Sequence, residues 1–238
     1  MQEEKLRLED LLESSNTAND DDRINNVAII GAGIMGRGIA QTVASMGLEV
    51  VIIELDPEKL ESAKEKLSDN IDIEIKRWAM TKSDKKSIFS RIKWETDMNA
   101  VKDCEIIIEA VQEDFDSKVR VFKQLDKIVN PEAIFVSNTS TLSLTNISES
   151  LSRPTKVIGM HFLNPVPKVP MVELVKSLHT SNETVLKVKE FASRIGKTPV
   201  EVYEYPGFIT TRAIVPLINE AMHILLEGIA TAKDIDTA

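Results

Sequence analysis

A histidine and a glutamate stand in neighbouring apolar runs, where they could transfer a proton. His161 ends the run in KVIGMH, and Glu173 lies twelve residues later in MVELV. An imidazole titrates near neutral pH, so it can take a proton from an alcohol. A carboxylate on its other nitrogen would fix the tautomer and stabilise the imidazolium. The residues alone leave a second interpretation open, in which His161 is a satisfied core residue and Glu173 decorates a sheet edge.

A glycine-rich segment, VAIIGAGIMGRGIA, has the spacing G-x-G-x-x-G between an apolar run and a helical pattern. In this context one glycine permits a tight turn, one lets the backbone approach a pyrophosphate, and one lets the helix pack on the strand. The segment therefore predicts a dinucleotide site. The expected contacts from this loop are Gly31, Gly33, Ile34, Met35 and Gly36.

Glu54 is the expected partner of the cofactor ribose. It ends the next apolar run, VVIIE, 18 residues after Gly36. A carboxylate at this position accepts hydrogen bonds from a ribose diol and repels a 2′-phosphate. The sequence therefore predicts NAD as the cofactor in preference to NADP.

The composition excludes several classes of protein. The chain has 238 residues, 42% of them apolar, which is enough for one large core and argues against a disordered or fibrous chain. A net charge of -9 argues against bulk attraction to nucleic acid or to an anionic membrane. The three histidines and the one cysteine, Cys104, form no metal-binding motif, so no metal is expected. No signal, transit or bilayer-spanning pattern occurs, and we expect a cytoplasmic protein.

The stretch 76–93 is locally basic, with seven basic residues against one acid, Asp84. Such a patch suits the phosphates of an anionic ligand such as coenzyme A. A solvated helical face is the alternative interpretation for most of these side chains.

The order of apolar runs and helical patterns predicts the elements that must position these residues. Short runs alternate with helices, which is typical of an α/β fold with a doubly wound, mostly parallel sheet of the Rossmann type. We expect a flexible acidic extension at 1–25, a dinucleotide-binding domain at 26–205, and the start of a helical domain at 206–238. The expected strands are 27–30, 50–53, 105–110, 134–137, 157–161, 172–175 and 200–202, and the expected helices include 57–79, 84–92 and 207–227.

Seven segments in order give the chain a specific resemblance to the L-3-hydroxyacyl-CoA dehydrogenases, a family that includes 3-hydroxybutyryl-CoA dehydrogenases. They are GAGIMGRGIA, EAVQED, SNTSTL, HFLNPV, MVELV, PGFITTR and DIDTA, and they extend from about residue 26 to the last residue. The resemblance implies an NAD-binding domain followed by a helical domain that also forms a homodimer. It implies reversible, NAD-dependent oxidation of an L-3-hydroxyacyl-CoA to the 3-ketoacyl-CoA.

The resemblance also implies roles for single residues at the reaction centre. His161 resembles the general base of the family, and Glu173 resembles its orienting partner. Ser140 resembles the serine that hydrogen-bonds the substrate oxygen, and Asn164 resembles the asparagine near nicotinamide and substrate. Without the resemblance, Ser140 and Asn164 are equally typical of turns.

Further positions carry implied contacts with the two ligands. Glu113 and Lys118, in EDFDSK, match positions that contact the cofactor, as Ser140 and Asn164 do. Asn70 and Arg77 match positions that contact coenzyme A, together with Ser140.

One position departs from the family pattern. Where many members have G-F-x-x-N-R, this chain has GFITTR, which places Thr211 at the asparagine. Threonine keeps a hydroxyl but loses reach and the double hydrogen bonding of an amide. Catalysis is still expected, while the substrate preference and the acyl chain length stay open.

Two other functions remain as alternatives. A gulonate-type hydroxyacid dehydrogenase shares part of the pattern, whereas a phosphogluconate type would need a lysine that PGFITTRAIVPLINEA lacks. A non-catalytic NAD-binding protein is the other alternative, because the helical region is short. We also expect an incomplete chain, since the helical domain of the family normally continues beyond DIDTA. Such a chain should bind NAD, associate with a partner through exposed apolar residues of its helix, and be poorly active towards acyl-CoA. A naturally short family member is the alternative.

Overall fold

A computed structural model of the protein describes residues 24–77 and 79–238. Its centre is one sheet of eight strands in the order β3-β2-β1-β4-β5-β6-β7-β8. The strands are β1 (Asn26–Ile30), β2 (Glu49–Ile53), β3 (Ile92–Glu95), β4 (Ile106–Glu109), β5 (Ile134–Ser137), β6 (Val157–Phe162), β7 (Met171–Lys176) and β8 (Thr198–Tyr203). Every neighbouring pair is parallel except β6 and β7, which are antiparallel. The expected doubly wound, mostly parallel α/β sheet is confirmed.

Helices connect the strands and follow them. They are α1 (Ile34–Ser45), α2 (Pro57–Lys76), α3 (Lys82–Arg91), α4 (Phe115–Leu125), α5 (Leu144–Glu149), α6 (Asn182–Arg194), α7 (Thr210–Leu226) and α8 (Ala232–Thr237). Local side chains explain where two of them begin. Asp56 caps α2, with Pro57 in its first turn as expected, and Thr81 and Asp84 form a reciprocal capping box on α3.

Alternation along the strands divides the core between the two faces of the sheet. In β1, Val27 and Ile29 pack into one cluster with residues of α1, α2, α3 and α6. Ala28 and Ile30 point the other way, into a second cluster with residues of α4 and α5. Successive side chains of a strand point to opposite faces, so helices cover both sides of the sheet.

Some expected boundaries are wrong. The strand β3 was not expected, because its sequence, IKWE, is short and half polar, which is common at a sheet edge. The helix expected at 57–79 ends at Lys76, and the one expected at 207–227 begins at Thr210. The expected extension 1–25 lies outside the described residues except for its last two, of which Ile24 is buried in the core.

The last two helices differ from the rest. In this fully described segment, neither α7 nor α8 contains a buried residue. Large apolar side chains on or beside α7 are more than half exposed: Ile209, Val215, Leu217, Ile218, Met222, Leu226 and Ile229. The helical segment expected after the sheet is therefore present, and its apolar surface faces solvent.

Candidate active site

The glycine loop joins β1 to α1, and two of its positions, Gly31 and Gly36, leave no room for a side chain. Gly31 has a φ of +101°, and a Cβ there would lie 2.8 Å from the carbonyl oxygen of Ala110. A Cβ on Gly36 would lie 1.9 Å from the carbonyl oxygen of Gly31. A Cβ on Gly33 would instead point into open space, and no side chain caps α1 at this residue. The open helix N-terminus suits the pyrophosphate of a dinucleotide.

Glu54 lies beside this loop, as its spacing predicts. Its Oε2 lies 3.4 Å from the amide nitrogen of Ala32, which donates to it. Gly33, Glu54 and Lys59 line a cavity of about 400 Å³. Arg37 and Lys66 also line the cavity. The Glu54 carboxylate beside the glycine loop is the feature of this cavity that fits the ribose of NAD.

His161 and Glu173 form a buried pair. They lie directly opposite each other in the antiparallel pairing of β6 with β7. The distance from His161 Nδ1 to Glu173 Oε2 is 2.6 Å, and the two side chains are 8% and 0% exposed. Because the carboxylate engages Nδ1, the other ring nitrogen, Nε2, is left for proton exchange with a ligand.

Glu173 also accepts hydrogen bonds from the start of α7. Its Oε1 accepts from the amides of Ile209 and Thr210, both at 2.9 Å, and its Oε2 accepts from the Thr210 hydroxyl at 2.8 Å. Burial alone would raise the pKa of Glu173, but the hydrogen bonds from His161 and Thr210 outweigh burial and hold the pKa below its usual value. The carboxylate is therefore ionised at neutral pH and can stabilise a protonated His161.

The loop that carries Ser140 is organised by Glu113. Glu113 Oε1 accepts from the amide of Ser140 at 2.8 Å, from the amide of Thr141 at 3.1 Å and from the hydroxyl of Thr139 at 2.5 Å. Burial would raise the pKa of Glu113, but the hydrogen bonds from Thr139 and Ser140 and the charge of Lys118 lower it to about 2. Glu113 is thus an anion that fixes the backbone around Ser140.

Lys118 connects this loop to the core of the sheet. Its side chain is 1% exposed, and its Nζ lies 2.7 Å from Glu109 Oε1 and 3.2 Å from Glu113 Oε2. The other oxygen of Glu109 accepts from the Ser137 hydroxyl at 2.7 Å. In this structure Lys118 supports the Ser140 loop through Glu113, and direct contact of Lys118 with the cofactor stays a prediction.

The topology brings Ser140 and His161 to the same end of the sheet, at the carboxyl ends of two neighbouring strands. Ser140 follows β5 and His161 is the residue before the last one of β6, and these neighbouring parallel strands pair Ser137 with Gly159. The side chain of Asn138 joins the two strand ends, because its Oδ1 accepts from the amide of Phe162 at 3.0 Å. Ligands of open α/β sheets bind at the carboxyl ends of the strands.

Three residues expected to contact substrate share one groove. Asn70, Arg77 and Asn164 line a groove of about 230 Å³ between α1, α2 and the loop after β6. Arg77 is the C-cap of α2, and its side chain is exposed. An exposed guanidinium at a groove suits the phosphates of an extended anionic ligand.

Two other basic residues of the stretch form ion pairs with acidic side chains. Lys85 pairs with Asp72 at 2.7 Å, and Lys93 pairs with Glu95 at 3.1 Å. Arg77 is the basic residue of this stretch that lines the groove.

The sequence reasoning missed several residues that shape the site. Glu109 and Thr210 hold Lys118 and Glu173 in place. The buried Lys197 donates to the carbonyl oxygens of Val166 and Val169, and so fixes the loop that contains Asn164. Two signals were available. Glu109 is an acid at the end of the apolar strand IIIE, and α7 begins without a capping side chain.

Thr211 is half-buried, and the hydroxyl that reaches Glu173 belongs to Thr210.

Among the described residues, no group of three or more His, Cys, Asp or Glu side chains is placed to hold a metal ion. In the same part of the chain, none of the helices has the length and apolarity to cross a membrane.

Comparisons with known proteins agree with this geometry. The model of the 3-hydroxyacyl-CoA dehydrogenase NAD-binding domain matches residues 26–205, and that of the C-terminal domain matches residues 207–238. A probable 3-hydroxybutyryl-CoA dehydrogenase of Bacillus subtilis is 40% identical over 90% of this chain and 74% of its own length. A 3-hydroxybutyryl-CoA dehydrogenase of Clostridioides difficile is 40% identical over 89% of this chain and 75% of its own length. The crystal structure of (S)-3-hydroxybutyryl-CoA dehydrogenase from Ralstonia eutropha is similar to this one with a TM-score of 0.83 and 40% identity. The match covers 89% of this chain and 75% of the Ralstonia eutropha chain.

Proposed function

The chain belongs to the 3-hydroxyacyl-CoA dehydrogenase family and is an NAD-dependent enzyme of that family; we propose that its substrate is a short L-3-hydroxyacyl-CoA such as 3-hydroxybutyryl-CoA. The observation that carries the reaction is the buried pair of His161 and Glu173 at the carboxyl end of β6. The names of the relatives at 40% identity support the short acyl chain.

His161 is the proposed general base. In the oxidation direction its Nε2 takes the proton of the 3-hydroxyl group, while the hydrogen on C3 leaves as hydride and the C–O bond becomes a carbonyl. Bound NAD supplies the acceptor for that hydride. Glu173 keeps Nδ1 protonated and stabilises the imidazolium that forms. In the reverse direction the imidazolium returns the proton to the oxygen.

Ser140 and Asn164 are the proposed polar contacts of the reacting group. Glu113 holds the Ser140 amide and accepts a long, 3.4 Å hydrogen bond from the Ser140 hydroxyl, which we propose turns to donate to the oxygen on which charge develops. Asn164 lines the groove that Arg77 and Asn70 also line. This shared lining supports a path for the coenzyme A moiety that extends from the reaction centre to Arg77.

The glycine loop and Glu54 are the proposed binding elements for NAD. The open space at Gly33 accommodates phosphates, and the Glu54 carboxylate accepts the ribose hydroxyls. Glu113, Lys118, Ser140 and Asn164 are proposed to contact the nicotinamide half of the cofactor directly or through the Ser140 loop.

Two further proposals concern the state of the protein. The apolar side chains exposed on α7 support a homodimer that forms through the C-terminal helical region, because a large exposed apolar surface tends to find a partner. The single cysteine, Cys104, is a buried free thiol. A free thiol fits a reducing compartment such as the cytoplasm.

A steady-state assay tests the substrate proposal. Purified protein should oxidise NADH in the presence of acetoacetyl-CoA, and it should reduce NAD in the presence of L-3-hydroxybutyryl-CoA. Free acetoacetate and sugar acids serve as matched substrates without coenzyme A, and we expect at least about a hundredfold lower kcat/KM for them. Turnover of a sugar acid in preference to acetoacetyl-CoA would establish the gulonate-type alternative. Binding of NADH without turnover of either substrate would establish a non-catalytic protein.

A further inference from the structure

Helix α7 begins without a capping side chain of its own. Ile209 is its N-cap residue, and an isoleucine offers no acceptor to the free amides of the first turn. The acceptor comes from another part of the chain, because Glu173 Oε1 lies 2.9 Å from the amides of Ile209 and Thr210. Glu173 therefore caps α7 with one oxygen.

The other oxygen of Glu173 is shared between two donors. Oε2 accepts from His161 Nδ1 at 2.6 Å and from the Thr210 hydroxyl at 2.8 Å. A carboxylate oxygen has two lone pairs, so both bonds fit. Each donor withdraws negative charge, however, so the Thr210 hydroxyl reduces the charge that Glu173 presents to the imidazole.

We propose that Thr210 is a positioning residue whose hydroxyl orients Glu173 and sets the pH at which His161 gains its proton. Without this hydroxyl the carboxylate would interact more strongly with Nδ1–H and favour the imidazolium. The proposal rests on the proposed function in assigning His161 as that base.

Apolar groups and charged residues that have other partners lie on the elements around the pair. On β8 the register partner of Glu173 is Val200, and the ring of Phe208, which precedes α7, lies 5.4 Å from the imidazole. In the described part of the chain, His161 is the only titratable side chain that hydrogen-bonds Glu173. Two charged residues on the packed elements have other partners: Glu201 of β8 pairs with Lys189, and Arg212 of α7 stacks on Tyr205.

The pH profile of kcat/KM for L-3-hydroxybutyryl-CoA oxidation tests the proposal. Thr210→Val removes the hydroxyl with little change in shape, and Thr210→Ser keeps it. We expect the acid limb of Thr210→Val to move up by about 0.5 to 1 pH unit, as for the loss of one hydrogen bond to a charged group. The Thr210→Ser profile should overlie that of the parent. A merely structural role would lower the rate at every pH without moving the limb, and that result would overturn the proposal.

A titration by NMR provides a readout that does not need turnover. The imidazole signal of His161, assigned by its absence in His161→Gln, should titrate at higher pH in Thr210→Val and at the parental pH in Thr210→Ser. An unchanged or lower titration point in Thr210→Val would overturn the proposal even in an active enzyme. If Thr210→Val does not fold, Thr210→Ala replaces it with the same expectation. A parent protein that fails to reduce acetoacetyl-CoA would contradict the proposed function alone, because the titration still tests Thr210.

Discussion

The region at 26–205 and the segment at 207–238 differ in how they use their apolar residues. In the first region each helix from α1 to α6 buries part of one face, and the strands alternate between two core clusters. In the second, α7 and α8 bury no residue. Hydrogen bonds from the start of α7 to Glu173 and the buried ring of Phe208 join the segment to the sheet.

The proposed reaction centre and the exposed apolar surface therefore lie in different regions of the chain. The pair of His161 and Glu173 and the glycine loop lie in the region that buries its own core, where side chains are held in fixed positions. The helical segment supplies hydrogen-bond donors to one carboxylate and leaves an apolar surface exposed. Substitution of His161 or of the cofactor site should therefore change rates or cofactor choice, and substitution of the exposed apolar residues of α7 should change association.

The largest effect is expected from His161→Gln. This change removes the proton acceptor but leaves the glycine loop intact, so kcat should fall roughly 10²- to 10⁴-fold while NADH affinity stays within about twofold. His179→Gln is the matched control, since His179 pairs with Glu149 in a partly exposed position. Steady-state kinetics and NADH titration provide both readouts, and a parental rate in His161→Gln would contradict the mechanism.

The next effect concerns association through α7. Leu217 is 70% exposed, and Leu217→Asp should raise the dissociation constant of the homodimer by roughly 10- to 100-fold, because an apolar contact becomes a buried charge. Leu186→Asp is the control, since Leu186 is 67% exposed on α6. Sedimentation at micromolar concentrations measures both. Parental behaviour of Leu217→Asp, or a monomeric parent protein, would disprove the proposed dimer surface.

A smaller change is expected in cofactor choice. Glu54→Ala removes the carboxylate that accepts the ribose hydroxyls and repels a 2′-phosphate, so the preference of kcat/KM for NADH over NADPH should narrow by about tenfold. Glu58→Ala, at the rim of the same cavity, should leave the preference unchanged. If the parent enzyme used the two cofactors equally, the ribose role of Glu54 would have to be abandoned.

The smallest effect is on stability as a function of pH. Glu113 has its pKa lowered from 4.5 to about 2 in the folded protein. It therefore stabilises the folded state above pH 4.5, and this contribution is lost as the pH falls from 4.5 towards 2. Glu113→Gln should lower Tm most at neutral pH, and the difference from the parent should shrink as acid is added. Glu220→Gln, on the exposed face of α7, controls for loss of a charge, and a difference that stays constant with pH would argue against the role of Glu113.

Local sequence was enough to predict the parts of the site that depend on backbone geometry. Gly31 has a positive φ, Gly36 lies against the Gly31 carbonyl five residues away, and the β-strand pattern around His161 and Glu173 follows from two apolar runs. The cap that Glu173 gives to α7 joins residues 36 positions apart, so it depends on the tertiary arrangement. The strand β3 was missed because its pairing with β2, and not its own sequence, makes it a strand.

One carboxylate, Glu173, connects the two regions, because it both contacts His161, the proposed general base, and caps α7. Amide hydrogen exchange at Ile209 and Thr210 tests this connection most directly. In Glu173→Ala the two amides lose their acceptor and should exchange at least about tenfold faster than in the parent, whereas amides of α1 should keep their parental protection. His161→Gln leaves the cap in place and should keep the parental exchange at both positions. Unchanged protection of Ile209 and Thr210 in Glu173→Ala would contradict the claim.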